Sequence, residues 1–265
     1  MKTKLVLVLL SSFIFTSCNY VMEKLSQKGE VVDKSVVINS DYTDKKSLNG
    51  EVRYKFPSGK LKSIVNYKDN KKVGTSHSYY ETGEKQYEIP YVNGKKHGVV
   101  KWFYKSGKLY RATSYKKGLK QGAQKKYWES GKIKSQMDYV DNMMSIGLKE
   151  FTNKGKQKTE PQIIVKQVNL LRQSNMYHLE LSLNKKFKNV QFYIGKLVDG
   201  KCLPLKVNSS LSELETKKGQ AVFKFSIPKG HTADRDVSIV AVVKTPYQNH
   251  YILSTKTNVS VRNPN

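Results

Sequence analysis

Between residues 48 and 158, short runs of apolar and aromatic residues alternate with glycine-bearing polar turns at a fixed interval. Gly59, Gly83, Gly107, Gly131 and Gly155 stand 24 residues apart. Gly50, Gly74, Gly98 and Gly122 keep the same interval, and Gly147 follows one residue late. Tyr67, Tyr91, Tyr115 and Tyr139 form a third series with it. Three series sharing one period define an internal repeat. In the copy from Gly98 to Lys120, Val99–Tyr104 is rich in β-branched and aromatic residues, as a strand should be. Lys105-Ser106-Gly107-Lys108 is a turn, with Gly107 where a positive φ is easiest, and Leu109–Tyr115 is a second strand. Lys116-Lys117-Gly118 leads into the next copy. Each unit therefore reads as a β-hairpin.

Two-residue alternation then predicts which side chains share a face. In the second strands, one face collects Leu61, Val65 and Tyr67, then Lys85, Ile89 and Tyr91. The next copies add Leu109, Thr113 and Tyr115, then Ile133, Met137 and Tyr139. In the first strands, Phe56, Tyr80, Tyr104 and Trp128 fall at one repeat position. Tyr79, Phe103 and Tyr127 fall at the neighbouring one, with Lys55 in the first copy. Such columns serve either to pack neighbouring strands or to present rings to a partner. Phe56, Tyr79, Tyr80, Phe103, Tyr104, Tyr127 and Trp128 are accordingly the candidate partner-binding residues.

These residues carry a resemblance. Tyr104-Lys105-Ser106-Gly107-Lys108-Leu109 and Tyr91-Val92-Asn93-Gly94-Lys95-Lys96-His97-Gly98 resemble the two halves of bacterial MORN-variant repeats, the YwqK-type antitoxin repeat family. The likeness covers four full copies and a truncated fifth, Gly147 to Lys156. Asn70 and Asn142 stand where the pattern has Gly, a mild departure because Asn tolerates a left-handed backbone. The resemblance implies antiparallel hairpins side by side in one long twisted sheet. The fifth copy, and a half-unit around Tyr42, are expected to cap its edges.

Past Thr159-Glu160-Pro161 the repeat register ends. Residues 161–265 read as a small all-β domain with strands at Ile163–Leu171, Tyr177–Leu183, Val190–Val198, Cys202–Val207, Ala221–Ile227, Val237–Lys244 and His250–Val261, the last divisible into two. Asp199-Gly200 is a tight-turn signal. Seven short strands suggest an immunoglobulin-like β-sandwich, without the Cys…Trp…Cys spacing of a true immunoglobulin domain. The fold class expected is thus all-β, a hairpin array followed by a sandwich.

The N-terminus is of another kind. Lys2 and Lys4 precede an apolar run, Leu5–Phe15, that is too short to span a bilayer. Phe15-Thr16-Ser17-Cys18 resembles the lipobox of bacterial lipoproteins, with Phe where Leu is usual. That likeness implies removal of residues 1–17, lipid attachment at Cys18, and a polar tether over 18–47. The protein would then sit on a bacterial membrane, inner or outer, without crossing it. Lipidation would leave Cys202 as the single thiol, expected as a small half-buried strand residue.

Charge sharpens the picture only modestly. The chain carries +27, with +15 over residues 51–160 and +10 over 161–265, so there is no discrete basic tail. The cations are 43 Lys against 5 Arg, and lysine is a hydrated point charge, less suited than arginine to bidentate phosphate recognition. The spread reads first as a solvated surface, and second as attraction to an anionic lipid or cell-wall polymer.

Catalytic chemistry has no visible carrier. His77, His97, His178, His231 and His250 lack metal-ligand spacing, Cys202 has no evident base, and the Gly-Lys pairs lack phosphate-loop spacing. No catalytic, metal or cofactor residue is expected. The reading is a lipid-anchored cell-envelope binding or scaffold protein that uses the repeat sheet for protein interaction. The alternatives are an antitoxin or immunity-like lipoprotein neutralising a protein toxin, and an anionic phospholipid-binding protein. The expected compartment weighs against nucleic acid.

Overall fold

A computed structural model describes residues 48–206 and 210–265; Cys18, the signal and tether segments and Tyr42 lie outside the described residues. The described chain is almost wholly antiparallel β-structure. The repeats form one sheet whose hairpins follow each other in chain order. These are β1 (Gly50–Lys55) with β2 (Leu61–Lys68), and β3 (Lys71–Tyr79) with β4 (Lys85–Val92). Next come β5 (Lys95–Lys96) and β6 (Gly98–Phe103) with β7 (Leu109–Lys116), then β8 (Leu119–Tyr127) with β9 (Ile133–Val140). The short strands β10 (Met143–Met144) and β11 (Lys149–Glu150) both pair with β9. β11, from the truncated fifth copy, and β10, just before it, thus cover the edge of the last long strand.

The same turn recurs five times. Phe56, Tyr80, Tyr104, Trp128 and Thr152 each accept at their carbonyl from the Gly three residues on. Each also donates its N–H to the carbonyl four residues on. Successive repeats are joined by two-residue turns with both residues left-handed: Asp69-Asn70, Asn93-Gly94, Lys117-Gly118 and Asp141-Asn142. This is the type I′ geometry that matches strand twist. The N–H of Asn70, Gly94, Gly118 and Asn142 donates to Leu48, Lys72, Lys96 and Lys120 respectively, so every connection is tied one repeat back. The two asparagines do more than tolerate the backbone. Their Oδ1 atoms also accept from the N–H of Leu48 (2.6 Å) and Lys120 (2.8 Å).

One expectation needs correction. A β-bulge follows each hairpin turn, where Tyr54/Lys55, Ser78/Tyr79, Trp102/Phe103 and Lys126/Tyr127 meet a shifted partner strand. The extra residue reverses the alternation at the turn end of the second strand. Leu61, Lys85, Leu109 and Ile133 therefore do not share the face of Val65, Ile89, Thr113 and Met137; each pairs with the residue just before the turn-opening side chain.

The C-terminal part is two four-stranded sheets. One has the order β12 (Ile163–Leu170), β13 (Met176–Leu183), β17 (Gln220–Ser226), β16 (Thr216–Lys217). The other runs β15 (Leu211–Glu213), β14 (Asn189–Gly195), β18 (Thr232–Lys244), β19 (His250–Arg262). A single turn of helix, α1 (Leu171–Ser174), joins β12 to β13. Leu179 and Leu181 from one sheet and Phe192, Ile239, Ala241 and Val243 from the other share one buried cluster, so the sheets face each other as a sandwich.

Three details depart from expectation. No strand occupies Cys202–Lys206; Cys202 is fully buried and makes only isolated bridges to Val198 and Ser145. The strand after β14 is β15, eight residues beyond Leu203. His250–Arg262 is a single long strand, paired residue for residue with β18. The cluster that fills the sandwich also takes in Met137, Tyr139 and Leu148 of the repeats, so sheet and sandwich share apolar core.

Candidate functional site

Residues directly opposite each other in a sheet project to the same side, so the register assigns a face to each side chain of β1–β9. One face carries Tyr54, Tyr67, Tyr87, Tyr91, Trp102, Tyr115 and Tyr139. It also carries Lys72, Arg111, Lys120 and Lys126, with Lys96 brought to it opposite Tyr91. The acidic residues of these strands, Glu51, Glu88 and Asp138, all lie on the other face. Within β1–β9 the first face therefore combines rings and cations without a carboxylate. The Glu150 carboxylate of β11, opposite Ser135, lies on the same side, buried where the sandwich meets the sheet.

On it, tyrosines and lysines alternate across the strands. Tyr67 pairs with Lys72, Tyr91 with Lys96, and Tyr115 with Lys120. Each lysine then reaches over the tyrosine of the following hairpin: Lys72 over Tyr91 at 5.5 Å, Lys96 over Tyr115 at 5.4 Å, Lys120 over Tyr139 at 4.8 Å. These are cation–π distances. The environment has a price in protonation. Burial, then repulsion from Lys72 and Arg111, holds the Lys96 ammonium below the usual lysine range. Burial likewise pushes the Tyr91 and Tyr115 phenols up.

A second row runs nearer the hairpin turns. Tyr87 stacks on Trp102 (5.4 Å), Tyr110 meets Trp102 edge-on (4.6 Å), and the Arg111 guanidinium lies over the Trp102 ring at 4.9 Å. Trp102 Nε1 donates to the Tyr80 hydroxyl at 3.2 Å. Between the rows lies a strip of shorter side chains that includes Ser76, Val100 and Thr113. Ser76 is 6% exposed, and its hydroxyl has no hydrogen-bond partner. The opposite face is different. Glu88 there bonds Lys85 (2.6 Å) and pairs with Lys101 (3.1 Å), and these contacts draw its carboxyl below the usual range.

The candidate aromatics divide among these surroundings. Tyr80 and Tyr104 open hairpin turns, and their hydroxyls donate to the carbonyls of Phe103 (2.7 Å) and Tyr127 (2.8 Å) in the next repeat. Phe56 holds the equivalent turn position without a hydroxyl. Trp128 packs edge-on against Tyr247 of the sandwich at 5.3 Å, with the Lys134 ammonium 4.3 Å from its ring. Tyr79, Phe103 and Tyr127 pair with Lys85, Leu109 and Ile133, away from the tyrosine–lysine ladder. The columns thus contribute to repeat-to-repeat cohesion. Strand alternation places the ladder tyrosines Tyr67, Tyr91, Tyr115 and Tyr139 on one face, and the register keeps them there. Alternation does not single out the lysines opposite them, or the row of Tyr87, Trp102 and Arg111. The period-24 recurrence of Lys72, Lys96 and Lys120 is the available signal for those lysines.

Where the sheet meets the sandwich, the chemistry is structural. Glu150, 1% exposed, accepts from Thr245 Oγ1 (2.6 Å) and Asn249 Nδ2 (2.7 Å), and Lys158 lies 3.7 Å from its other oxygen. A cleft here is also lined by Phe187 and Tyr251, and contains neither His nor Cys. Among the described residues no group of three His, Cys, Asp or Glu is placed to hold a metal, and no helix is long and apolar enough to cross a membrane.

No curated protein matches the chain. Residues 48–69, 72–93, 96–117 and 120–141 match the family model described as MORN repeat variant, and the sheet carrying the ladder is built on these four repeats.

Proposed function

We propose that this protein is a non-catalytic binding or scaffold protein of the cell envelope, held at a bacterial membrane by a lipid on Cys18, and that its repeat sheet binds a protein partner. The observation that carries the binding role is that the acidic side chains of β1–β9, Glu51, Glu88 and Asp138, all project from one face, although lysines stand on both. Rings and cations recur at the repeat period on the other face. Side chains whose only task was solubility would have no reason to sort in this way. Large aromatics and Arg are also the residue types that dominate protein interfaces.

The anchor and the binding face are tested separately. Replacing Cys18 with Ser should release the protein from the membrane fraction; unchanged tight association would contradict lipid attachment. For the face, Trp102→Ala with Arg111→Ala should abolish co-purification of the partner, whereas Lys101→Ser on the opposite face should not. Flotation with anionic vesicles separates this reading from direct phospholipid binding. A full chain bearing Cys18→Ser that floats at low salt, and is released by Lys72→Gln with Lys96→Gln, would favour phospholipid over protein.

A further inference from the structure

The ladder has a spacing as well as a sign, and the spacing constrains its partner. Lys72, Lys96 and Lys120 occupy the same position in successive hairpins, two strands apart. Neighbouring strands are separated by about 4.8 Å, so the ammonium groups recur every ~10 Å along a line perpendicular to the strands. A partner lying along that line must present anionic groups at the same interval to meet each one. A β-strand repeats a face every second residue, at roughly 6.8 Å, and falls out of step. A polyproline II helix repeats every third residue, with a rise of about 3.1 Å per residue, giving roughly 9.3 Å. It stays in step over several repeats.

The second row supplies what such a helix also needs. Polyproline II ligands seat their proline rings against aromatic side chains, and their preformed conformation limits the entropy lost on docking. Tyr87, Trp102 and Tyr110 form a contiguous aromatic group beside the ladder, across the strip of shorter side chains. Resting on the reading of this face as a protein-binding surface, we infer that it takes an extended, proline-rich acidic segment of a partner. That segment would have Asp or Glu at every third residue and would run across the hairpins. Lysines 72, 96 and 120 would meet successive carboxylates, and the Trp102 group would take the intervening prolines.

The test is fluorescence anisotropy of the full chain with labelled peptides. One peptide repeats Pro-Pro-Glu; a second has the same composition and length with its glutamates gathered in one block. The triplet peptide should bind at least about tenfold more tightly, a difference of roughly 1.4 kcal/mol. Lys72→Glu and Lys96→Glu should each weaken it. Together they should confer binding of a Pro-Pro-Lys peptide, a gain that misfolding could not produce. Equal affinity for the triplet and block peptides would overturn the inference, because charge alone would then suffice. Tighter binding of an oligothymidylate or of polyphosphate than of the triplet peptide would overturn it too, by pointing to another class of polymer. Should the peptides fail while Trp102→Ala still abolishes capture of the partner, the binding face stands and only this assignment of its ligand falls.

Discussion

Lys126 of the repeat sheet and Asn249 of the sandwich are joined by a 2.7 Å hydrogen bond, although 123 residues separate them. The same Asn249 amide donates to Glu150 on its other side. One neutral side chain thus links a lysine that is 7% exposed to a glutamate that is 1% exposed. Replacing Asn249 with Leu keeps volume but leaves both buried charges short of a partner. The expected cost is about 3 kcal/mol, read as a lower urea midpoint with an unchanged slope. A change below roughly 0.5 kcal/mol would mean that the link contributes little to holding the sheet and sandwich together.

The turn-opening tyrosines give a second prediction. Each of Tyr80 and Tyr104 bonds a carbonyl of the following hairpin, so Tyr→Phe at either site should cost about 0.5–1.5 kcal/mol. Phe56 occupies the equivalent position. Phe56→Tyr should supply the missing clamp to Tyr79 and raise the thermal midpoint. A lowered midpoint would show that the first repeat does not share the geometry.

The inter-repeat asparagines separate two contributions. Asn142→Gly keeps the left-handed backbone but loses the Lys120 bond, whereas Asn142→Ala loses both. Stability should fall in the order Asn, Gly, Ala, with the Ala variant lower than wild type by about 1–2 kcal/mol. If Gly matched or exceeded Asn, the side-chain bond would be without net value.

Much of this was legible in the sequence, and the reasons differ by feature. The hairpins could be read because glycines and tyrosines recur in three series at one interval. The bulges could not. Lys62, Gln86, Tyr110 and Lys134 are the extra residues, and nothing in their chemistry marks them. The ladder was half visible. Its lysines recur on schedule, but a lysine among 43 looks like solvated surface until the register sets it opposite a tyrosine. The junction left no local trace, since Glu150 and Asn249 lie in a short strand and a loop 99 residues apart. β15 and β16 are too short to show alternation.

A pH dependence follows from His250, at the start of β19. Burial, then the nearby charges of Lys244 and Lys126, lower its pKa below the ordinary 6.5. The unfolded chain therefore takes up this proton more readily than the folded one. The associated stability is present above pH 6.5 and is lost as pH falls through the folded value. His250→Asn should flatten the stability profile between about pH 7 and 5. Parallel profiles for the two proteins would assign the acid limb to other groups.

The most direct test of the central claim, that the ring-and-cation face binds a partner, is site-specific photo-crosslinking in intact cells. A photoreactive residue would replace Ser78, on that face, or Thr75, on the opposite one. A discrete adduct of single mass should form from position 78, be absent from position 75, and disappear when Trp102 and Arg111 are both replaced by Ala. Adducts from position 75 alone, or a position 78 adduct indifferent to that double replacement, would contradict it.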